Sequence, residues 1–116
     1  MKVKRIVADI QATSPAEADA FYRGVLGLEL AMDHGWIRTY TGDTQMTVQV
    51  SVASEGGSGT EVPHLSVEVD DLAEALRRVE EAGVAVEYGP ATEPWGVKRF
   101  YVRDPMGRLI NILQHV

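Results

Sequence analysis

Apolar and polar positions along this chain run through the same order twice. Residues 3–10 read as the first strand. A helix should start at Ser14-Pro15-Ala16-Glu17: Ser14 is placed to cap, Pro15 suits the first helical position, and Glu17 stands where a capping box needs it. Phe21 and Val25, with Leu28 beyond, mark its apolar side, and Gly27 stops it after about Leu26. Strands are predicted at 28–32, 36–41 and 45–53, parted by Asp33-His34-Gly35 and Gly42-Asp43, both good hairpin turns.

The second pass opens with strict alternation over 64–69. Asp70 or Asp71 caps a second helix, with Leu72, Leu76 and Val79 at near-helical spacing and a stop at Gly83. A short strand at 84–88, a loop over 89–96 holding Pro90 and Pro94, and strands at 97–103 and 108–114 complete it, the last two joined by the turn Asp104-Pro105-Met106-Gly107. Between the halves, SEGGSGTEVP at 54–63 reads as a linker that no regular element would include comfortably. The expected class is α+β: two βαβββ modules, about 3–53 and 64–115, forming a cupped mixed β-sheet with the helices on the outer face. Neither half buries a good core alone, so 1–116 is one domain, with a groove expected between facing sheets.

Strand alternation sorts side chains into a helix face and a groove face. Met46, Val48, Val50 and Val52 suit the helix, as do Leu65, Val67, Val69, Ile110 and Ile112. That leaves Gln49, His64, Ser66 and Asn111 opposite them, and sets Trp36, Arg38 and Tyr40 on one face of their strand. A polar row of this kind is often only a solvated sheet face. Two Trp and four Tyr in so short a chain also suit a ligand cleft with apolar walls and a few polar anchors, or the rim of a dimer interface.

Composition narrows the chemistry. With no cysteine there is no disulfide, thiolate nucleophile or thiolate metal site. A net charge of −6 repels phosphate backbones, so no nucleic acid partner is expected, and Lys98, Arg99, Arg103 and Arg108 read as solvated strand-edge cations. The N-terminal apolar run, Ile6 to Ala8, is too short for a signal peptide. No stretch approaches a membrane span, so no membrane partner and a cytoplasmic location are expected. GGSG at 56–59 is not a strand-to-helix phosphate loop.

FYRGVLGLEL (21–30), PHLSVEVDDLAEALRRVEEAG (63–83) and EPWGVKRFYVRDPMGRLINIL (93–113) closely resemble the glyoxalase/bleomycin-resistance/extradiol-dioxygenase proteins, the vicinal oxygen chelate superfamily. The resemblance covers essentially the whole chain. It implies the paired βαβββ fold but not one activity, because the superfamily hosts isomerases, dioxygenases, thiol transferases to antibiotics, and non-catalytic drug binders. Its metal-using members take a ligand from the first strand, one from the strand that opens the second module, and one from the last strand. Those positions fall here on Val7 (or Ala8), His64 and Asn111, with Asp9 one strand-step away. One histidine and one neutral amide hold a divalent ion poorly, so no metal and no cofactor are expected. The resemblance therefore favours a homodimeric binder that sequesters an aromatic or antibiotic-like small molecule. Trp36, Arg38, Tyr40, Gln49, His64, Trp95, Tyr101 and Asn111 are its candidate ligand contacts, with both tryptophans reporting binding. The alternative is a glyoxalase-like lyase or isomerase, or a dioxygenase, with His64 as candidate catalytic base and either no metal or an atypical metal site.

Overall fold

In a computed structural model of the chain, residues 8, 10, 12–43 and 53–116 are described. Most of the strands expected at 3–10 and 45–53, and with them Val7, Asp9 and Gln49, lies outside the described residues.

The first half begins with a 3-10 turn at Pro15–Ala18 that leads into α1 (Asp19–Tyr22). The Ser14 side chain makes no capping bond; the Glu17 amide bonds the Ser14 carbonyl at 3.1 Å instead. The regular helix is shorter than the apolar spacing predicts. Beyond Tyr22 the turns widen, with Gly24 and Leu26 amides reaching back five residues to Asp19 and Phe21, until Gly27 at φ +69° turns the chain out. Strands β1 (Glu29–Asp33) and β2 (Arg38–Thr41) then pair antiparallel around the expected turn, where the Asp33 carboxylate accepts from the Gly35 amide at 2.9 Å.

The second half matches its expected order closely: β3 (Leu65–Glu68), α2 (Leu72–Glu81), β4 (Val86–Glu93), β5 (Val97–Arg103) and β6 (Leu109–His115). The sheet order is β3-β6-β5-β4, with β3 parallel to β6 and the other pairs antiparallel. Asp71 is the cap of α2, its carboxylate accepting from the Glu74 amide at 3.1 Å. One element is longer than expected. The segment read as a loop over 89–96 is largely strand, because β4 runs through Gly89-Pro90 on a bulge and resumes pairing at Ala91, opposite Arg99. The bulge absorbs the missing proline amide, and only glycine fits before it: a Cβ on Gly89 would sit 2.5 Å from the Arg99 carbonyl.

Both helices pack on the outer face of this sheet. Phe100, Val102, Ile110 and Ile112 are fully buried there against Ala18, Phe21, Tyr22 and Val25 from the first half and Leu72, Ala75 and Val79 from α2. Each such aliphatic or aromatic side chain contributes roughly 1.5–3 kcal/mol of transfer free energy. The core thus joins the two halves, and the Tyr22 hydroxyl seals it by donating to Asp104 at 2.9 Å across 82 residues of sequence. The inner face of the same sheet is left for another role.

Candidate functional site

Strand register sets one row across the inner face, Ser66–Asn111–Tyr101–Tyr88 on β3, β6, β5 and β4. Arg99 lies two residues along β5 on that face, 3% exposed. Its guanidinium carbon is 4.9 Å from the ring centre of Tyr101, 5.0 Å from Trp95 and 5.4 Å from Tyr88, a cation boxed by three aromatic rings. Reading Arg99 as a solvated strand-edge cation was therefore incorrect, because the rings and Glu93 remove it from water. Of the other three basic residues in that cluster, Arg103 pairs with Glu87 at 3.0 Å on the surface.

Glu93 balances the charge of Arg99. It is 5% exposed, lies 3.5 Å from Arg99 Nε, and accepts hydrogen bonds from the Ser58 and Tyr88 hydroxyls. Those bonds, Ser58 first and Tyr88 next, and then the Arg99 charge, hold its carboxyl below the ordinary glutamate value of 4.5.

The stretch expected to be a plain linker closes the inner face. Arg99 donates to the Gly56 carbonyl at 2.7 Å, to the Gly57 carbonyl at 3.2 Å and to the Tyr101 hydroxyl at 2.8 Å. Thr60 and Tyr101 share a hydroxyl contact at 2.9 Å. The strap folds on itself, the Gly56 amide bonding the Thr60 carbonyl at 2.8 Å. Its glycines are required by close approach: a Cβ on Gly56 would lie 2.6 Å from the Tyr101 oxygen, and one on Gly57 2.6 Å from the Trp95 ring. An open depression of about 330 Å³ lies away from this face, on the helix side near Phe21, Val25, Val84 and Asp104.

Of the eight residues expected to contact a ligand, the structure brings together Trp95, Tyr101 and Asn111. Asn111 donates to Ser66 at 3.1 Å, and its buried Oδ1 has no partner among the described residues. His64 is exposed at the head of β3, where its Nδ1 accepts from the Leu109 amide at a long 3.4 Å. Arg38 and Tyr40 do share a face, but it is the face that meets α1. Both bond Asp19, Arg38 at 3.0 Å and Tyr40 at 2.5 Å, and Tyr40 stacks on Tyr22. Tyr40 first, then Arg38, holds the Asp19 carboxyl below its ordinary 3.8. The described part of the first sheet thus turns its Arg38–Tyr40 face to α1. Trp36 stands 77% exposed in the β1–β2 turn and joins no aromatic pair among the described residues. Gln49 lies outside them.

Arg99 and Glu93 were missed as site residues. The signal was present: in VKRFYVR, Arg99 shares a strand face with Tyr101, four residues after Trp95. A metal is poorly served by these groups. No three His, Cys, Asp or Glu side chains gather to hold an ion among the described residues, and the neutral Asn111 amide is a poor donor to a divalent ion. No helix among the described residues is long and apolar enough to cross a membrane.

Solved structures support the fold. The chain is similar to a glyoxalase/bleomycin resistance protein/dioxygenase superfamily member from Sphaerobacter thermophilus, with 23% identity, a TM-score of 0.68 and coverage of 99% of this chain and 98% of that one. It is similar to TnmS3, an antibiotic binding protein from Streptomyces sp. CB03234, with 22% identity, a TM-score of 0.66 and coverage of 100% and 97%. It is also similar to a lactoylglutathione lyase from Agrobacterium tumefaciens, with 20% identity, a TM-score of 0.61 and coverage of 97% and 92%. No curated protein sequence matches the chain. Binder and enzyme therefore share this backbone at such low identity that the likeness speaks for fold alone. The family model, by contrast, matches the sequence itself over residues 3–112, and the chain belongs to the Glyoxalase/Bleomycin resistance protein/Dioxygenase superfamily.

Proposed function

We propose that this protein binds a small planar organic molecule on the inner face of its four-stranded sheet and sequesters it without metal chemistry. The observation that carries the reading is the Arg99 box: a buried cation walled by Tyr88, Trp95 and Tyr101 and closed by a glycine-rich strap. Apolar ring faces with a few fixed polar anchors are what a small-molecule site requires. Trp95, Tyr101 and Asn111 line it together with Arg99, Glu93 and Tyr88. The likeness to an antibiotic binding protein agrees with this reading. His64, tied to backbone at Nδ1, and the neutral Asn111 amide argue against a lyase or dioxygenase site.

The same reading makes the protein a homodimer. Trp95 is 51% exposed at the mouth of the inner face, and exposed Val116 bonds Gly96 beside it at 3.0 Å. An apolar rim of this kind is covered well by a second copy. Light scattering at tens of micromolar, a range suited to a weak-to-moderate dimer, should give twice the chain mass; a monomer there removes the shared site.

The function is tested by a fluorescence screen of aromatic and antibiotic-like compounds, run beside turnover assays with glutathione hemithioacetals and catechols. Quenching of Trp95 without turnover supports sequestration. Metal-dependent turnover with Trp95 silent refutes it.

A further inference from the structure

The hydrogen bonds of the strap fall into two sets. One set lies inside it: the Gly56 amide to the Thr60 carbonyl, the Thr60 amide and hydroxyl to the Gly57 carbonyl, and the Gly59 amide to the Glu55 carboxylate. The other set fastens it to the sheet. Arg99 donates to the Gly56 and Gly57 carbonyls, Thr60 meets the Tyr101 hydroxyl, and the Ser58 hydroxyl donates to Glu93.

The internal set is weak for its task. Gly57, Ser58 and Gly59 stand at φ +87°, +51° and +74°, and glycine gives up the most freedom when it is fixed. Ser58 is the one non-glycine residue with positive φ among those described, a conformation that a side chain disfavours. The strap is therefore ordered by the sheet beneath it more than by its own bonds. None of residues 54–63 belongs to the core cluster, so releasing them leaves that core intact. One carboxylate serves both fastenings. Glu93 accepts from Ser58 directly, and it stands 3.5 Å from Arg99 Nε, balancing the buried guanidinium that grips Gly56 and Gly57.

We propose that residues 55–60 are an autoinhibitory latch bolted by Glu93, which must unseat and lose its internal bonds as one unit before a molecule reaches the rings beneath. The purpose of the latch rests on the binding role proposed above; its opening does not. Apparent affinity at this face is then the intrinsic affinity scaled by the fraction of molecules with the latch open.

Amide hydrogen exchange on the full, unliganded chain reads the opening. The Gly56 and Thr60 amides bond within the strap, so loosening the bolt at Glu93 reaches them only if the strap opens as a unit. Ser58→Ala removes the bolt while keeping a side chain at the same φ, and Ser58 is exposed, so the core is untouched. It should speed both amides by one common factor, roughly tenfold or more for a hydrogen bond to a charged group. The β6 amides of Ile110 and Ile112 should keep their rates. Glu93→Gln, which keeps the shape and loses the charge, should speed the strap amides too. A compound that quenches Trp95 in the fluorescence screen should bind Ser58→Ala more tightly, by the factor by which exchange rose. Strap exchange unchanged in both variants overturns the latch. So does a Ser58→Ala rise shared equally by β6, or a screened binder whose affinity ignores Ser58→Ala. A screen that yields no binder overturns the binding role and leaves the exchange result standing, so the two failures are told apart.

Discussion

Replacing Tyr22 with phenylalanine removes one oxygen and tests whether the two halves are held as a single body. The hydroxyl donates to Asp104 Oδ2 at 2.9 Å, with Tyr22 8% and Asp104 5% exposed. The other carboxylate oxygen is already taken by the Met106 and Arg108 amides at 3.0 and 2.9 Å, so Oδ2 has no spare neighbour to turn to. The ring contacts survive in phenylalanine: the edge-on pair with Phe21 at 5.2 Å and the stack on Tyr40 at 5.5 Å. No cavity opens, and the change isolates a buried hydrogen bond to a carboxylate, worth about 1.5–3 kcal/mol. Divided by a urea slope of about 1–3 kcal/mol/M, a 2 kcal/mol loss lowers the midpoint by roughly 0.7–2 M with the slope unchanged. Urea unfolding followed by circular dichroism measures it. Burial first, and the Asp104 bond next, push the tyrosine pKa up from 10.0, so this stabilisation is complete below pH 10 and fades as the solution becomes more alkaline. A midpoint shift under about 0.2 M, or a changed slope, would refute the claim that this bond ties the halves together.

Other outcomes follow from the same geometry. Because the Glu93 pKa lies below 4.5, its contribution is complete above that pH and is lost as acid carries the solution through the lowered value. Trp95 fluorescence should then change before global unfolding, and Glu93→Gln should remove that step. Phe100→Ala, at a fully buried centre of the outer-face core, should cost about 3–5 kcal/mol in chemical unfolding; a loss under 1 kcal/mol would mean the core is misassigned. Elemental analysis of protein prepared without chelator should find zinc, nickel, manganese and iron well below stoichiometry. About one equivalent that disappears in His64→Ala would instead restore the metal enzyme.

What the sequence disclosed, it disclosed where the cause is local. The Asp71 cap, the stop at Gly83 and the alternation of Ile110 and Ile112 all depend on neighbours within a few residues, and each stands in the structure as expected. Failures came where the deciding contact is distant. Arg99 reads as a surface cation until the backbone of Gly56 and Gly57, more than 40 residues upstream, is laid against it. SEGGSGTEVP reads as linker for the same reason: glycine chosen for close approach to Trp95 and glycine chosen for flexibility are the same letter. Arg38 and Tyr40 were grouped correctly on one face. Only the position of Asp19 in the folded chain decides that this face belongs to the helix. Pro90 suggested a break, and the bulge that lets β4 pass it depends on pairing with β5.

The strand order β3-β6-β5-β4 also sets a timetable for synthesis. β6 is the latest of these strands to leave the ribosome, yet it lies between β3 and β5 and supplies Ile110 and Ile112 to the core. Until it emerges, β3 has no neighbour among the described strands, and α2 faces a sheet missing one of its two inner strands. The growing chain must therefore carry β3 and α2 as partly apolar segments without β6 from the completion of α2 at Glu81 until Leu109 and its successors are added. A nascent chain stalled just before Leu109 should bind chaperone and resist proteases poorly, and release of seven more residues, Leu109–His115, should complete the fold.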